Sequence, residues 1–254
     1  MPKGCEPSTI TVKLDAAGRF HVSLLVDTVI EPLPKTNKSI GLDVGITSLI
    51  ATSNGDKIVN PKHFKRLRSK LKRVQKSLSR KQKGSNNRQK QRQEVARCAG
   101  QITDSRKDFL HKLTTQLVRE NQTIVVEDLA IKNMVTNHKL ALSISDASWG
   151  ELVRQLAYKC QWYGRELIKI NRWFPSSKRC GNCGHIVDKM PLDVREWDCP
   201  KCGANHDRDI NASKNILAAG LAVSVCGANI RPDNQEIKGQ LRNTARGKKQ
   251  KPKS

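Results

Sequence analysis

SIGLDVGITSLIATSNGDKIVN, residues 39–60, decides how the rest of the chain is read. The stretch is apolar and rich in β-branched residues, and Gly45 and the pair Asn54-Gly55 interrupt it as turns do. It therefore predicts two or three consecutive strands joined tightly. Asp43 is out of keeping with its surroundings, because it stands inside the apolar run Ile40-Gly41-Leu42-Asp43-Val44. Burying a carboxylate in such company costs several kcal/mol unless it is paired or bound to a cation.

Upstream, residues 9–27 alternate β-formers around Ala16-Ala17-Gly18 and predict a hairpin, followed by a proline-punctuated linker. Downstream the chain turns basic. From Lys62 to about Arg97 it is crowded with lysine and arginine, while Leu67, Leu71, Val74 and Leu78 recur at four-three-four spacing, the mark of a basic helix with one narrow apolar stripe. Gly84-Ser85-Asn86-Asn87 breaks the run, and a second helix follows through Glu120 with Ile102, Phe109, Leu113 and Leu117 on one face. Together they predict a helical hairpin over 62–120. A charge run is ordinarily a solvated face; one of nearly a single sign is a contact surface for phosphates.

Next come a short buried-type strand, Thr123 to Val126, ending in Glu127 and Asp128, a helix over Trp149 to Arg165, and a strand from Glu166 to Asn171. A final helix opens at Asp209. Strands first, then helix alternating with strand, with acids at strand ends, is the order of a mixed α/β sheet. Glu127 and Asp209 join Asp43 as acids whose positions suit a pair of Mg²⁺ ions, the arrangement that activates water against a phosphodiester. Each also has a plainer use: Asp209 as an N-cap beside Asp207, Glu127 or Asp128 as the start of a turn, Asp43 as the partner of an arginine.

Between these elements, Cys180-Gly-Asn-Cys183 and Cys199-Pro-Lys-Cys202 set two Cys-x-x-Cys knuckles with fifteen residues between them. Four thiolates so spaced close a tetrahedral structural zinc site; a redox pair would need a thioredoxin-like context, and an iron–sulfur cluster is the remaining alternative. Cys5, Cys98, Cys160 and Cys226 follow no such pattern and read as inert thiols.

The 254 residues carry a formal charge of +24 and only 37% apolar residues, which is enough for a modest core and an electrostatic footprint for a polyanion. No apolar run is long enough to span a bilayer and no leader is evident, so the expectation is a cytoplasmic, nucleoid-associated protein with no membrane partner. The basic stretch 227–254 reads as a disordered tail.

Several blocks of the sequence resemble the TnpB (OrfB) proteins of insertion sequences. GLDVGITSLIATSNG (41–55), IVVEDLAIKNM (124–134) and HDRDINASKNIL (206–217) look like that family's three RuvC motifs, and RKDFLHKL, SWGELVRQLAYKC and WFPSSKRCGNCG are typical of the blocks between. The resemblance implies an RNase H-like α/β fold with a helical-hairpin insertion and an inserted zinc ribbon. It implies a Mg²⁺-dependent endodeoxyribonuclease that cuts DNA under the guidance of a transposon-end RNA. Carried onto this chain, the catalytic acids are Asp43, Glu127 and Asp209; Asp209 is preferred to Asp207 because the family's acid precedes the Asn-Ala step by one residue. Family members usually carry a further lobe upstream, of which residues 1–36 resemble the last hairpin. The implied division is then a nuclease domain over 37–174, a zinc ribbon over 175–206, and the last motif and helix over 207–226. A truncated nucleic-acid-binding protein that modulates transposition without cutting, and a ribosome-associated zinc-ribbon protein, are the alternatives from other classes.

Overall fold

In the computed structural model, residues 4–191 and 193–225 are described. The segment Met1–Gly220 forms one compact unit; of a second, Leu221–Ser254, the described residues are the last turn of a helix. The expected disordered tail and Cys226 lie outside the described residues.

Residues 39–60 form three strands, as their turn residues require: β3 (Ser39–Val44), β4 (Ser48–Thr52) and β5 (Lys57–Val59). With β6 (Thr123–Glu127) and β7 (Glu166–Ile170) they make one sheet in the order β5-β4-β3-β6-β7. The first three strands run antiparallel, while β6 and β7 run parallel to β3. That order and those directions are an RNase H-like mixed sheet.

Strand alternation sorts the side chains of this sheet onto two faces. Ile40, Leu42, Ile50, Ile124 and Val126 pack on one side against α2 (Asn86–Glu120) and α5 (Trp149–Tyr163), where Leu110, Leu113, Leu117, Leu152 and Leu156 complete the main core. The other side carries Gly41, Val125 and Ile170 and is covered by α6 (Arg208–Val225) through Ile216 and Leu217. Here helix and sheet meet backbone to backbone. A Cβ on Gly41 would lie 2.2 Å from the Ser213 carbonyl oxygen, and one on Gly220 would lie 2.3 Å from a Val125 methyl. Only glycine permits so close an approach, and overpacking of this kind costs about 1–3 kcal/mol where it can be relieved by local shifts.

The helical hairpin forms as its apolar stripe predicts, but its halves are unequal. α1 (His63–Ser79) ends early, and α2 begins inside the expected breaker, because Ser85 caps it by accepting the Arg88 amide at 3.2 Å. Two short helices, α3 (Ile131–Met134) and α4 (Ala141–Ala147), precede α5 and have no clear sequence signal. α4 has a definite task. The buried Asp146 carboxylate accepts the Phe64 amide at 3.0 and 3.1 Å and Arg106 Nη2 at 2.9 Å, which ties the start of α1 to α2 and to α4.

At the chain's start, β1 (Pro7–Leu14) and β2 (Phe20–Val26) make the predicted hairpin. Among the described residues its turn is anchored to α2, through the Arg19–Asp104 ion pair and the bond from Arg97 to the Ala17 carbonyl. Its cross-strand pairs Ile10/Leu24, Val12/Val22 and Leu14/Phe20 stay exposed. Among the described residues no helix is long and apolar enough to cross a membrane.

Candidate active site and cysteine cluster

Register places the acids. Leu42 pairs with Val126 on the parallel β3–β6 ladder, so Asp43 and Glu127 stand on the next rung, on the α6 side with Gly41 and Val125. Asp209 is in the first turn of α6, one turn before the Ser213 that touches Gly41. Three residues far apart in sequence are therefore brought to the carboxyl end of the central strands. All three are half-buried.

The plainer use of Asp209, the N-cap, falls to its neighbour. Asp207, not Asp209, caps α6: its Oδ1 accepts the amides of Asp209 at 3.1 Å and Ile210 at 3.0 Å. The helix accordingly starts at Arg208, one residue earlier than expected. Asp128, not Glu127, forms an ion pair, with Arg172. Asp43 has no arginine partner, and among the described residues neither it nor Glu127 belongs to any ion pair, whereas Asp209 sits 3.9 Å from Lys57 Nζ and 3.7 Å from Arg195 Nη1. Lys57 also contacts Asp207 at 2.6 Å. Neither cationic side chain was anticipated; nothing local in the sequence links positions 57 and 207.

The electrostatics follow. Burial, then the charges of Asp209 and Glu127, push the Asp43 carboxyl up to about 7. Burial, and then Asp128, raises Glu127. Burial works against the Asp207 carboxylate too, but the Lys57 bond and the two helix amides outweigh it and hold that group below its usual range.

An experimental consequence arises from Asp43. Its folded-state value near 7 lies above the ordinary 3.8, so between those limits the native state holds a proton that the unfolded chain has released. Stability without added divalent cation therefore falls as pH rises from about 4 to 7, and is lowest above that. Asp43→Asn should melt higher than the unmodified protein at pH 8 in magnesium-free buffer, by about 1–3 kcal/mol, with the gap closing towards pH 4. Mg²⁺ at pH 8 should raise the melting temperature of the unmodified protein and leave the Asn variant unmoved. Equal melting curves at pH 8 would show that Asp43 is not under this electrostatic load.

The two cysteine knuckles converge as their spacing predicts, but each lies at the tip of its own ribbon. The first is flanked by the Arg179–Ile186 bridge, the second by β8 (Glu196–Asp198) and β9 (Asn205–Asp207). The four sulfurs all lie within 4.8 Å of one another, with Cys180–Cys202 at 3.7 Å and Cys183–Cys199 at 3.6 Å. Disulfides would need about 2.05 Å. A tetrahedral metal with bonds to sulfur of about 2.3 Å has edges of about 3.8 Å, so the cluster could hold a metal ion. His206 Nε2 lies 3.0 Å from Cys180 Sγ, placed to donate to a thiolate, and its ring packs against Trp197. The cluster is also bound to the acid-bearing helix. Asn211 accepts the Gly181 amide at 2.9 Å and donates to the Arg179 carbonyl at 2.7 Å, and Asn215 donates to the carbonyls of Ser176 and Arg179 at 2.8 and 2.6 Å. Of the unpatterned cysteines, Cys98 and Cys160 are buried, and burial pushes the Cys160 thiol up to about 12, which fits an inert thiol.

Comparison with known proteins points the same way across most of the chain. A family described as "Probable transposase" (OrfB_IS605) matches residues 21–138, and one described as "Cas12f1-like, TNB domain" matches residues 149–216. A "Putative RNA-guided DNA endonuclease" of Streptomyces pristinaespiralis is 56% identical over 92% of this chain and 58% of its own length. The "Putative RNA-guided DNA endonuclease InsQ" of Escherichia coli K12 is 34% identical over 91% of this chain and 62% of its own. The chain thus spans about three-fifths of these relatives. Among solved structures, a Cas12f1–sgRNA–target DNA complex superposes with a TM-score of 0.58 at 18% identity, over 84% of this chain and 46% of the Cas12f1 chain. A CRISPR–Cas12f ternary complex gives 0.53 at 21% identity, with the same shares covered.

Proposed function

The chain belongs to the TnpB/OrfB family of insertion-sequence proteins, and on that premise we propose that it is a metal-dependent, RuvC-like endonuclease that cuts DNA under the direction of a transposon-end RNA. The observation that carries this reading is the group of Asp43, Glu127 and Asp209, two of them without ionic partners among the described residues, on the one face of the sheet covered by α6. Among the described residues the four cysteines are the group whose ligand atoms all lie within 4.8 Å; the acids are spread more widely. That spread suits two ions about 3.5–4 Å apart better than a single closed cage. Divalent cations such as Mg²⁺, when bound there, would supply an activated water and charge stabilisation for the leaving oxygen.

The chain's own residues do the rest. Asp43 and Glu127 project from the central strands, where main-chain hydrogen bonds fix them, and α6, capped by Asp207, presents Asp209 to them. α1 and the first half of α2 offer a basic surface to the phosphate backbone. Two shallow concavities there, of about 360 and 560 Å³, are lined by Arg73, Lys76, Arg80 and Lys81 and by Lys90, Arg92 and neighbouring polar groups. They suit phosphates and not an apolar small molecule. Cys180, Cys183, Cys199 and Cys202 would hold a structural zinc, closed to substrate. In this reading residues 37–174 with 207–226 form the nuclease, 175–206 the ribbon, 1–36 a hairpin belonging to a nucleic-acid-gripping lobe, and 227–254 a basic extension. The protein would work in the cytoplasm, on the nucleoid.

The second reading is a nucleic-acid-binding protein that does not cut: the basic surface of α1 and α2 would grip a phosphate backbone whether or not the acids hold cations. Co-expression with transposon-end RNA, purification, sequencing of the bound RNA and a cleavage assay in Mg²⁺ decide between them. The nuclease reading expects one enriched RNA and cleavage of DNA matching its guide segment. Salt-sensitive binding with no cleavage under any guide or divalent cation would establish the second.

A further inference from the structure

Lys57 stands in the same row of the sheet as the acids. Asp43 pairs with Ala51 across β3–β4, and Ala51 pairs with Lys57 across β4–β5. Directly opposed residues on antiparallel strands share a face, so Lys57, Ala51 and Asp43 form one row beneath α6, continued by Glu127 on the next strand. Ala51, small and buried, leaves room for the lysine stem to lie across it. A lysine on an edge strand ordinarily extends into water. This one turns back over the sheet, its Nζ 2.6 Å from Asp207 Oδ2 and 3.9 Å from Asp209 Oδ2.

We propose that Lys57 is a further catalytic residue of this site: its ammonium group competes with divalent cations for Asp209 and, once cations hold the carboxylates, contacts the phosphate being cut. The inference rests on the nuclease reading above. Asp207 makes it geometrically economical, because that carboxylate is fixed by two helix amides and does not need to join the metal set. Moored to Asp207, the ammonium stays beside Asp209 whether or not cations are bound, and little movement separates shielding the acid from reaching a substrate oxygen. A compact point charge donating to a non-bridging phosphate oxygen stabilises the charge that builds there, with no covalent step and no net proton transfer. The other cation at Asp209, Arg195, is on the ribbon, 55% exposed and 3.7 Å away, and Arg208 acts on Asp43 only at longer range. Lys57 is the cation built into the sheet itself.

Two variants of the full-length, zinc-loaded protein test this: Lys57→Met, which keeps the stem and removes the charge, and Lys57→Arg. Titration calorimetry with Mg²⁺ and Mn²⁺ in the absence of nucleic acid, with Asp43→Asn as the blank, should show Lys57→Met binding cation about 3- to 10-fold more tightly and Lys57→Arg binding as the unmodified protein does. At saturating Mg²⁺, Lys57→Met should cut at least about tenfold more slowly with its KM for DNA within about twofold of normal, and Lys57→Arg should recover part of the rate. Unchanged cation affinity in Lys57→Met overturns the competition, and an unchanged cleavage rate overturns the phosphate contact. Equal losses in both variants, accompanied by lower melting temperatures, would mean that Lys57 only braces the helix cap. If the unmodified protein cuts nothing, the nuclease reading has failed on its own account, and the calorimetry still decides whether lysine and cation compete.

Discussion

Asp43→Ala should abolish DNA cleavage while leaving nucleic-acid binding intact. The expected loss is about a thousandfold or more in rate, since on the proposed nuclease reading the removed carboxylate would help hold cations whose charge stabilisation amounts to several kcal/mol, at 1.36 kcal/mol per tenfold. Asp43 is the most consequential of the three because it lies on the central strand, next to Glu127 in register and under the repulsion of both other acids. The basic surfaces of α1 and α2 are separate from it, so filter-binding affinity and its salt dependence should be preserved. Asp128→Asn provides the contrast: its carboxylate is committed to Arg172, and removing it should cost far less cleavage than Asp43→Ala. Cleavage at the unmodified rate in Asp43→Ala, or equal losses in both variants, would show that the acids have been misassigned.

Much of this candidate site is legible in the sequence alone, and the reason is periodicity and spacing. The run 39–60 announced its strands and its misplaced Asp43 because turn residues and an apolar pattern are local signals. The two Cys-x-x-Cys pairs announced a tetrahedral cluster for the same reason. What stayed hidden depends on long-range meetings. Asp207 and Asp209 look equally fit to cap a helix until the amides of Asp209 and Ile210 are seen on Asp207. Glu127 and Asp128 are adjacent, and it takes the strand register and the Arg172 pair to distinguish them. Lys57 contacts a residue 150 positions away, and Asp146 holds residues 82 and 40 positions away, so no window of sequence contains either relation. α3 and α4, of four and seven residues, are too short to show a helical period.

If the cysteines hold zinc and the chain cuts DNA as proposed, Cys183→Ser should remove that metal and, with it, most of the cleavage. Structural zinc contributes on the order of 10–16 kcal/mol to the folding of small isolated metal domains. The segment 175–206 resembles such a domain in having little core of its own: its strands are three residues long, and Trp197, packed against His206, is among its few large apolar side chains. The sheet core, packed against α2 and α5, does not depend on it. Unfolding should therefore be local, with protease cuts appearing between 175 and 206 while the main thermal transition moves little. Cleavage falls because the first knuckle and the active-site helix are one hydrogen-bonded piece, through Asn211 and Asn215. Once Arg179 and Gly181 move, α6 loses the contacts that orient its first turn, and Asp209 with it; a loss of at least about tenfold is expected from misplacement on the scale of an ångström. Metal analysis of the reduced, zinc-replete protein should give about one zinc per chain, and Asn211→Ala should keep that zinc while losing part of the cleavage. A protein that binds no zinc under those conditions, or a Cys183→Ser variant that cuts at the full rate, would separate the cysteine cluster from the chemistry altogether.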